Sequence, residues 1–179
     1  MNFGLLYTDK FDVQLAGFSD FDWEGNPDDR RSTVGYAFNI GSRVISLSSK
    51  KQPIVSLSSI EEKYKAMSSA TCEAIWLRRI LEDIGEKQTE PTKVYCDNQS
   101  AVKLAHNHVY HPRTKHIELQ HHFIRKKIES KEIKFIYCNT SDNVADIFTK
   151  PVGKIHFEIL KHKLGVVENA FLHQGGMLE

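Results

Sequence analysis

The chain has 179 residues, of which 40% are hydrophobic and 26% are charged, and its formal net charge at pH 7 is +1. These values are typical of a globular domain and exclude intrinsic disorder, collagen-like repeats and a disulfide-stapled miniprotein. No apolar run reaches the roughly 20 residues of a membrane-spanning helix, and we expect no membrane partner. The three cysteines are far apart in sequence, which favours reduced thiols in an intracellular protein.

Basic residues are concentrated in one part of the sequence. Between Lys103 and Lys134 there are eight Lys or Arg residues and three Glu residues, so this segment carries a charge of +5 and the rest of the chain carries −4. A basic segment on an otherwise acidic protein indicates a polyanionic partner such as a nucleic acid. A solvated helix face explains the same charges equally well, and both interpretations stay open.

The first third of the chain predicts an antiparallel meander of three strands. Residues 15–23 form a β-like run that ends in a cluster of turn-forming residues at 24–29. Residues 34–40 alternate apolar with small or polar side chains, as a half-buried strand does. A Gly-Ser turn then leads into a third run at 43–49.

A long amphipathic helix follows the meander. Apolar residues recur at spacings of three and four over about seven turns, at positions 60, 64, 67, 70, 74, 77, 81 and 84. Ser58 or Ser59 is the expected N-cap, and Gly85 is the expected end.

The second half of the chain alternates shorter strands and helices. The predicted elements are a strand at 93–96, a helix through 105, a helix at 117–128, a strand at 133–138 and a helix from 143 that Pro151 interrupts and 156–164 resumes. The order β-β-β-α-β-α-α-β-α predicts an α/β fold with a mixed five-stranded sheet flanked by helices.

Three aspartates lie where predicted strands or helices begin or end. Asp20 lies in an apolar strand, Asp97 ends the fourth strand, and Asp146 is flanked by apolar residues near the start of the last helix. Each one alone is explained as a cap or a surface carboxylate. Because a buried carboxylate is costly unless it is paired or bound to metal, the three together are candidates for a divalent-cation site.

Seven segments of the chain match a known pattern, in the same order and over nearly the whole length. They include the strings GFSDFDW, YCDNQSA and ADIFTKP, and they lie at residues 15–23, 29–36, 48–53, 55–59, 95–101, 113–118 and 145–151. On these segments the chain closely resembles the ribonuclease H domain of copia-type retrotransposon Pol polyproteins. The resemblance implies a ribonuclease H-like fold, in agreement with the order of predicted elements.

The resemblance also implies an activity and a site. The family hydrolyses the RNA strand of RNA–DNA hybrids, next to a reverse transcriptase domain in the parent polyprotein and in cytoplasmic virus-like particles. Four acidic residues hold two Mg²⁺ ions, and the matching positions here are Asp20, position 63, Asp97 and Asp146. By the same likeness, residues expected to contact the nucleic acid are Gln99, Arg113, Lys115 and His116.

The resemblance further suggests how the chain is divided. It looks like a C-terminal fragment of such a polyprotein. We expect residues 1–14 to be a remnant of the connection to the reverse transcriptase, 15–165 to be the ribonuclease H-like domain and 166–179 to be a loose tail.

One position departs from the family pattern. Where the family has a metal-binding Glu directly before a Tyr, this chain has Lys63 before Tyr64. At about 100° per residue, Lys63 falls in the middle of the apolar stripe, whereas Glu61 and Glu62 lie about 145° and 115° from its centre and should not replace the missing ligand.

This substitution leads to specific expectations. We expect the ammonium of Lys63 to pair with the three aspartates, and one Mg²⁺ ion or none to bind in place of two. In the alternative, Lys63 extends to solvent and one metal still binds. Two-metal hydrolysis should be weakened, and the competing function is a catalytically inactive nucleic-acid-binding or interaction module.

Overall fold

The structure is a computed structural model that describes residues 3–5, 13–22, 31–41, 43–53, 59–107 and 115–168. Two short 3₁₀ turns, Thr140–Asp142 and Val144–Phe148, precede the last helix. The strands and helices, in chain order, are β1 (Phe3–Leu5), β2 (Leu15–Asp22), β3 (Thr33–Ile40), β4 (Arg43–Lys51), α1 (Ser59–Asp83), β5 (Thr92–Cys96), α2 (Gln99–Ala105), α3 (Lys115–Glu129), β6 (Ile133–Tyr137), α4 (Lys154–Lys163) and β7 (Val166–Glu168).

The main sheet has five strands in the order β4-β3-β2-β5-β6. β2, β3 and β4 pair antiparallel, whereas β5 runs parallel to β2 and β6 runs parallel to β5. The predicted meander and the predicted mixed five-stranded sheet are therefore confirmed. Since β2 and β5 are adjacent and parallel, their carboxyl ends meet at one edge of the sheet.

Both faces of the sheet are covered, because the alternating strands present apolar side chains on both sides. One face packs against α1, α2 and α3 around a core that includes Phe38, Tyr64, Val94 and Phe135. Full burial of each such side chain contributes about 1.5–3 kcal/mol. The other face of β2 and β3 packs against the second 3₁₀ turn, beside α4, around a smaller cluster centred on Leu160.

α1 ends as the sequence predicts. Gly85 adopts a φ of +91°, which favours glycine, and the N–H of Glu86 donates to the carbonyl of Leu81. Among the described residues, no helix has the length and apolar character needed to cross a bilayer.

The segment predicted as the start of the last helix is a 3₁₀ turn. The side chain of Asn143 accepts a hydrogen bond from Ala145 N, and the N–H of Thr149 donates to the carbonyl of Asp146 three residues back. Pro151 has no N–H and restricts the residue before it, so the segment is too short to develop an α-helix. α4 consequently begins at Lys154.

The two ends of the described chain form a separate two-stranded sheet. β1 pairs antiparallel with β7, so that Phe3 lies opposite Glu168. Residues 166–168 thus form a strand, although the sequence places them in a loose tail. Residues 169–179 lie outside the described residues, and the proposed division of the chain remains a prediction.

Candidate metal centre

The structure brings Asp20, Asp97 and Asp146 together at the carboxyl edge of the sheet. One carboxylate oxygen from each residue lies within 4.8 Å of the others. Asp20 is near the end of β2, Asp97 directly follows β5, and Asp146 lies in the second 3₁₀ turn. Asp20 and Asp146 are 2% and 1% exposed, whereas Asp97 is half-buried.

Strand pairing and one buried side chain bring the three carboxylates into this arrangement. Ser19 of β2 is in register with Cys96 of β5, so the residues that follow them, Asp20 and Asp97, lie side by side. The buried Asn143 fastens the 3₁₀ turn to β2, because its Nδ2 donates to the carbonyl of Ser19 at 3.2 Å. The same side chain caps the turn that carries Asp146.

Two hydroxyl groups orient the carboxylates. The Oγ1 of Thr149 donates to Oδ2 of Asp20, and the Oγ1 of Thr140 donates to Oδ2 of Asp97 at 2.9 Å. Both threonines lie within six residues of Asp146 in the sequence. This segment therefore contributes the carboxylate of Asp146 and orients the carboxylates of Asp20 and Asp97.

Lys150 places an ammonium group against the cluster. Its Nζ lies 2.9 Å from Oδ2 of Asp146 and 3.7 Å from Oδ2 of Asp20. The expected pairing of Lys63 with these aspartates is wrong: Lys63 is partly exposed and, within the described part of the chain, forms no ion pair. Lys150 follows four residues after Asp146, just beyond the end of the same 3₁₀ turn, whereas Lys63 is partly exposed to water.

The electrostatics of the centre are those of crowded, desolvated carboxylates. Burial raises the pKa of Asp20 to about 7, and Asp146 and Asp97 add to the rise against the opposing effects of the Thr149 hydrogen bond and Lys150. Burial likewise raises the pKa of Asp146, assisted by Asp97 and opposed by Lys150. Burial alone would lower the pKa of Lys150, but Asp20 and Asp146 outweigh it and raise that pKa.

The donor set fits a divalent cation. All three side chains offer carboxylate oxygens, the ligands that hard cations prefer. Oδ1 of Asp146 is buried and accepts no hydrogen bond from any described residue. A buried oxygen without a donor is costly, and a bound cation would remove that cost.

α1 contributes no carboxylate to this cluster, which has three acidic members among the described residues. Glu62 is nevertheless fully buried, contrary to its predicted place outside the apolar stripe. It shares a helix face with Glu73, eleven residues on, whose carboxylate accepts hydrogen bonds from Tyr36 of β3 and Ser46 of β4. α1 packs on the sheet and on α3, so its buried arc is wider than one stripe.

The other predicted site residues are only partly described. Gln99 is the first residue of α2 and is exposed, and the neighbouring Asn98 caps that helix by accepting from Ala101 N at 2.9 Å. Arg113 lies outside the described residues. Lys115 and His116 are the first residues of α3, and the structure describes their backbone but not their side chains. Their contacts with nucleic acid remain predictions.

The centre also contains four polar residues that the pattern of acidic residues in the sequence does not predict. They are Thr140, Asn143, Thr149 and Lys150. The last two lie three and four residues after Asp146, a spacing that returns side chains to the same side of a helical turn. That spacing indicates that Thr149 and Lys150 lie near Asp146. The roles of Thr140 and Asn143 have no such indication, because they depend on contacts with distant strands.

The chain is similar to curated transposon polyproteins. It is 38% identical over 156 residues to the retrovirus-related Pol polyprotein from transposon RE2 of Arabidopsis thaliana and 40% identical over 158 residues to that from transposon TNT 1-94 of Nicotiana tabacum. The matches cover 87% and 88% of this chain but 11% and 12% of those polyproteins, so the chain spans a small part of their length. No protein-family model matches the chain.

Solved structures of ribonuclease H domains share the fold. The N-terminal RNase H domain of rv2228c from Mycobacterium tuberculosis has a TM-score of 0.55 at 13% identity, covering 84% of this chain and 98% of that one. LC11-RNase H1 in complex with an RNA/DNA hybrid has a TM-score of 0.55 at 15% identity, and the match covers 76% of this chain and 94% of that one. With the homology to the transposon polyproteins, this fold identifies the chain as a ribonuclease H-like domain of the copia-type retrotransposon Pol family.

Proposed function

We propose that this domain hydrolyses the RNA strand of RNA–DNA hybrids with the help of Mg²⁺ held by Asp20, Asp97 and Asp146. The observation that supports this most strongly is the convergence of the three carboxylates within 4.8 Å at the carboxyl edge of the sheet. α/β proteins commonly bind ligands at this edge.

The proposed chemistry is metal-assisted phosphodiester hydrolysis. A divalent cation held by Asp20, Asp97 and Asp146 would supply an activated water and would stabilise the charge that develops on the departing oxygen. Thr149 and Thr140 hold the carboxylates of Asp20 and Asp97 in orientation, and Asn143 keeps the turn of Asp146 against β2. The expected products carry 3′-hydroxyl and 5′-phosphate ends.

We propose one resident metal ion for this chain rather than the two of the family. Three carboxylates among the described residues can share one ion, and the α1 position that would complete a second site holds Lys63. Replacing a carboxylate by an ammonium changes the local charge by two units, which disfavours a second cation.

The proposed substrate is consistent with the charge of the domain. α3 carries Arg125, Lys126 and Lys127 in the basic segment between Lys103 and Lys134, which suits contacts with phosphates. One structural neighbour, LC11-RNase H1, is bound to an RNA/DNA hybrid. In the parent polyprotein we propose a reverse transcriptase domain as the partner, within an intracellular particle.

A second candidate function is binding of the hybrid without cleavage. Two observations favour it: Lys63 stands where the family has a carboxylate, and the ammonium of Lys150 lies between Asp20 and Asp146. Such a module would keep the fold and the basic segment while lacking a metal centre strong enough for catalysis.

The test is Mg²⁺-dependent cleavage of an end-labelled RNA–DNA hybrid by the whole chain. We expect slow cleavage that Asp146→Asn abolishes, and a rate about tenfold higher or more for Lys63→Glu, which restores a carboxylate ligand. Asp142→Asn is the matched control, because Asp142 is an exposed acid in the neighbouring turn.

The same series separates the two candidates. Cleavage by Lys63→Glu alone, with the native chain binding the hybrid but not cutting it, would favour the inactive binding module. Failure of all variants to cut a hybrid that they bind would contradict the proposed hydrolysis.

A further inference from the structure

Lys150 contacts two of the three carboxylates that a cation at this centre would use. Its Nζ is 2.9 Å from Oδ2 of Asp146 and 3.7 Å from Oδ2 of Asp20. Both carboxylates are almost fully buried, with side-chain exposures of 1% and 3%, whereas the Lys150 side chain is 31% exposed. The ammonium therefore approaches two buried acids from the open side of the cluster.

The Lys150 ammonium and a divalent cation would compete for the same carboxylates. A cation among the three aspartates would lie within a few ångströms of the Lys150 ammonium, where like charges repel strongly at low effective dielectric. Oδ1 of Asp146, which has no donor among the described residues, shows that one lysine does not satisfy the cluster. Lys150 thus neutralises part of a charge that a doubly charged ion would neutralise better.

Lys150 is able to leave without disturbing the rest of the centre. Its long side chain extends from the residue directly after the second 3₁₀ turn and Thr149, and its exposed fraction gives the ammonium a route to water. Asp20 keeps its bond from Thr149 and Asp97 keeps its bond from Thr140, since neither depends on Lys150.

We propose that Lys150 is the resident counter-cation of the metal-free centre and that divalent cations bind only by displacing it. The inference rests on the proposed function in taking the three aspartates as the metal ligands. Lys150 is then a positioning residue: it stabilises the acidic cluster before metal loading and sets the metal affinity afterwards.

The direct test is calorimetric titration of Mg²⁺ into the native chain and Lys150→Met. Since removal of the ammonium removes the competitor, the Kd for Mg²⁺ should fall about tenfold in the variant. Lys87→Met is the matched control: Lys87 forms an exposed ion pair at 2.6 Å with Glu82, in the last turn of α1, and its loss should leave the Kd unchanged. Lys150→Arg, which keeps the charge, should bind Mg²⁺ no more tightly than the native chain.

A second measurement uses the native chain, so it does not depend on the folding of any variant. The Lys150 ammonium protons should be protected from exchange and visible by NMR without metal, and Mg²⁺ should abolish that signal. Equal Mg²⁺ affinity in the native chain and Lys150→Met, or an ammonium signal that survives saturating Mg²⁺, would overturn the counter-cation role and leave the metal centre intact. Absence of Mg²⁺ binding in every variant would overturn both.

Discussion

The two ends of the central sheet differ in what their polar side chains do. At the amino end of β2 and β5, Gln88 accepts a hydrogen bond from Leu15 N at 2.9 Å and donates to the carbonyl of Val13 at 2.7 Å. Arg78 donates to the carbonyls of Gln88 and Glu90 at 2.6 and 2.7 Å and to Oγ1 of Thr92 at 3.0 Å. Two side chains thus bind the loop before β5 to the sheet and to α1.

At the carboxyl end the buried groups are left incompletely paired. Oδ1 of Asp146 and Oγ of Ser19 are buried without a hydrogen-bond partner among the described residues, and burial raises the pKa of Asp20 to about 7. Native proteins seldom leave buried polar atoms unpaired unless the site has a function. We therefore infer that Gln88 and Arg78 support stability at the amino end, whereas the crowded aspartates at the carboxyl end lower stability in favour of the proposed metal site.

The largest effect that this comparison predicts is on the pH dependence of stability. Because the pKa of Asp20 rises from 3.8 to about 7 on folding, the metal-free folded state binds more protons than the unfolded state between these values. The contribution of Asp20 to the free energy of unfolding should therefore decrease, on the order of a few kcal/mol, as the pH rises from about 4 to about 7. Urea denaturation without metal measures this slope.

A variant without the Asp20 carboxyl group and a comparison with and without Mg²⁺ test the same prediction further. Asp20→Asn should flatten the slope, because it removes the titrating carboxyl group. Since a cation binds the ionised carboxylates, saturating Mg²⁺ should stabilise the protein more at about pH 8 than at about pH 5. The same slope in the native chain and in Asp20→Asn would contradict the raised pKa of Asp20.

The second effect is on metal affinity. Asp146→Asn should weaken Mg²⁺ binding about 100-fold, or about 2.7 kcal/mol, because it removes a buried ligand. The free energy of unfolding without metal should change by less than about 1 kcal/mol, since the native carboxylate is itself costly to bury. A large loss of metal-free stability would show that this carboxylate supports the fold, as the amino-end residues do.

The third effect belongs to the amino end. Arg78→Met should lower the free energy of unfolding by about 2 kcal/mol, because three acceptors lose their donor while water replaces part of the loss. The Kd for Mg²⁺ should not change. Urea denaturation and calorimetry on the same sample measure both quantities, and a weaker Mg²⁺ affinity would mean that the two ends are coupled.

The smallest effect concerns a hydroxyl group. Thr149→Val keeps the shape of the side chain but removes the hydrogen bond to Asp20, at a cost of about 1 kcal/mol in the free energy of unfolding. The pKa of Asp20 should rise further, because this hydrogen bond lowers it in the native protein. NMR titration of the Asp20 carboxyl carbon measures that rise, and an unchanged pKa would rule out the orienting role of Thr149.

Local sequence patterns predict most of the fold. Alternation in β3, the spacing of apolar residues in α1 and turn residues at Gly85 are local signals, and each produced the expected element. The convergence of Asp20 and Asp97 is also predictable, because adjacent parallel strands present their carboxyl ends together.

The remaining features depend on tertiary contacts that local patterns do not contain. Glu62 is buried because α1 packs on the sheet and on α3, which a single apolar stripe does not reveal. Lys150 rather than Lys63 reaches the aspartates because the 3₁₀ turn directs it there. The pairing of β1 with β7 joins residues more than 160 positions apart, and no local pattern anticipates it.

The most direct test of the metal centre is a crystal structure of the native chain grown with Mn²⁺, whose anomalous scattering locates the ion. We expect an anomalous peak among the carboxylates of Asp20, Asp97 and Asp146, with the Nζ of Lys150 moved away from Asp146. A fully ordered site without a peak, in which Lys150 keeps its contact with Asp146, would contradict the proposed metal centre.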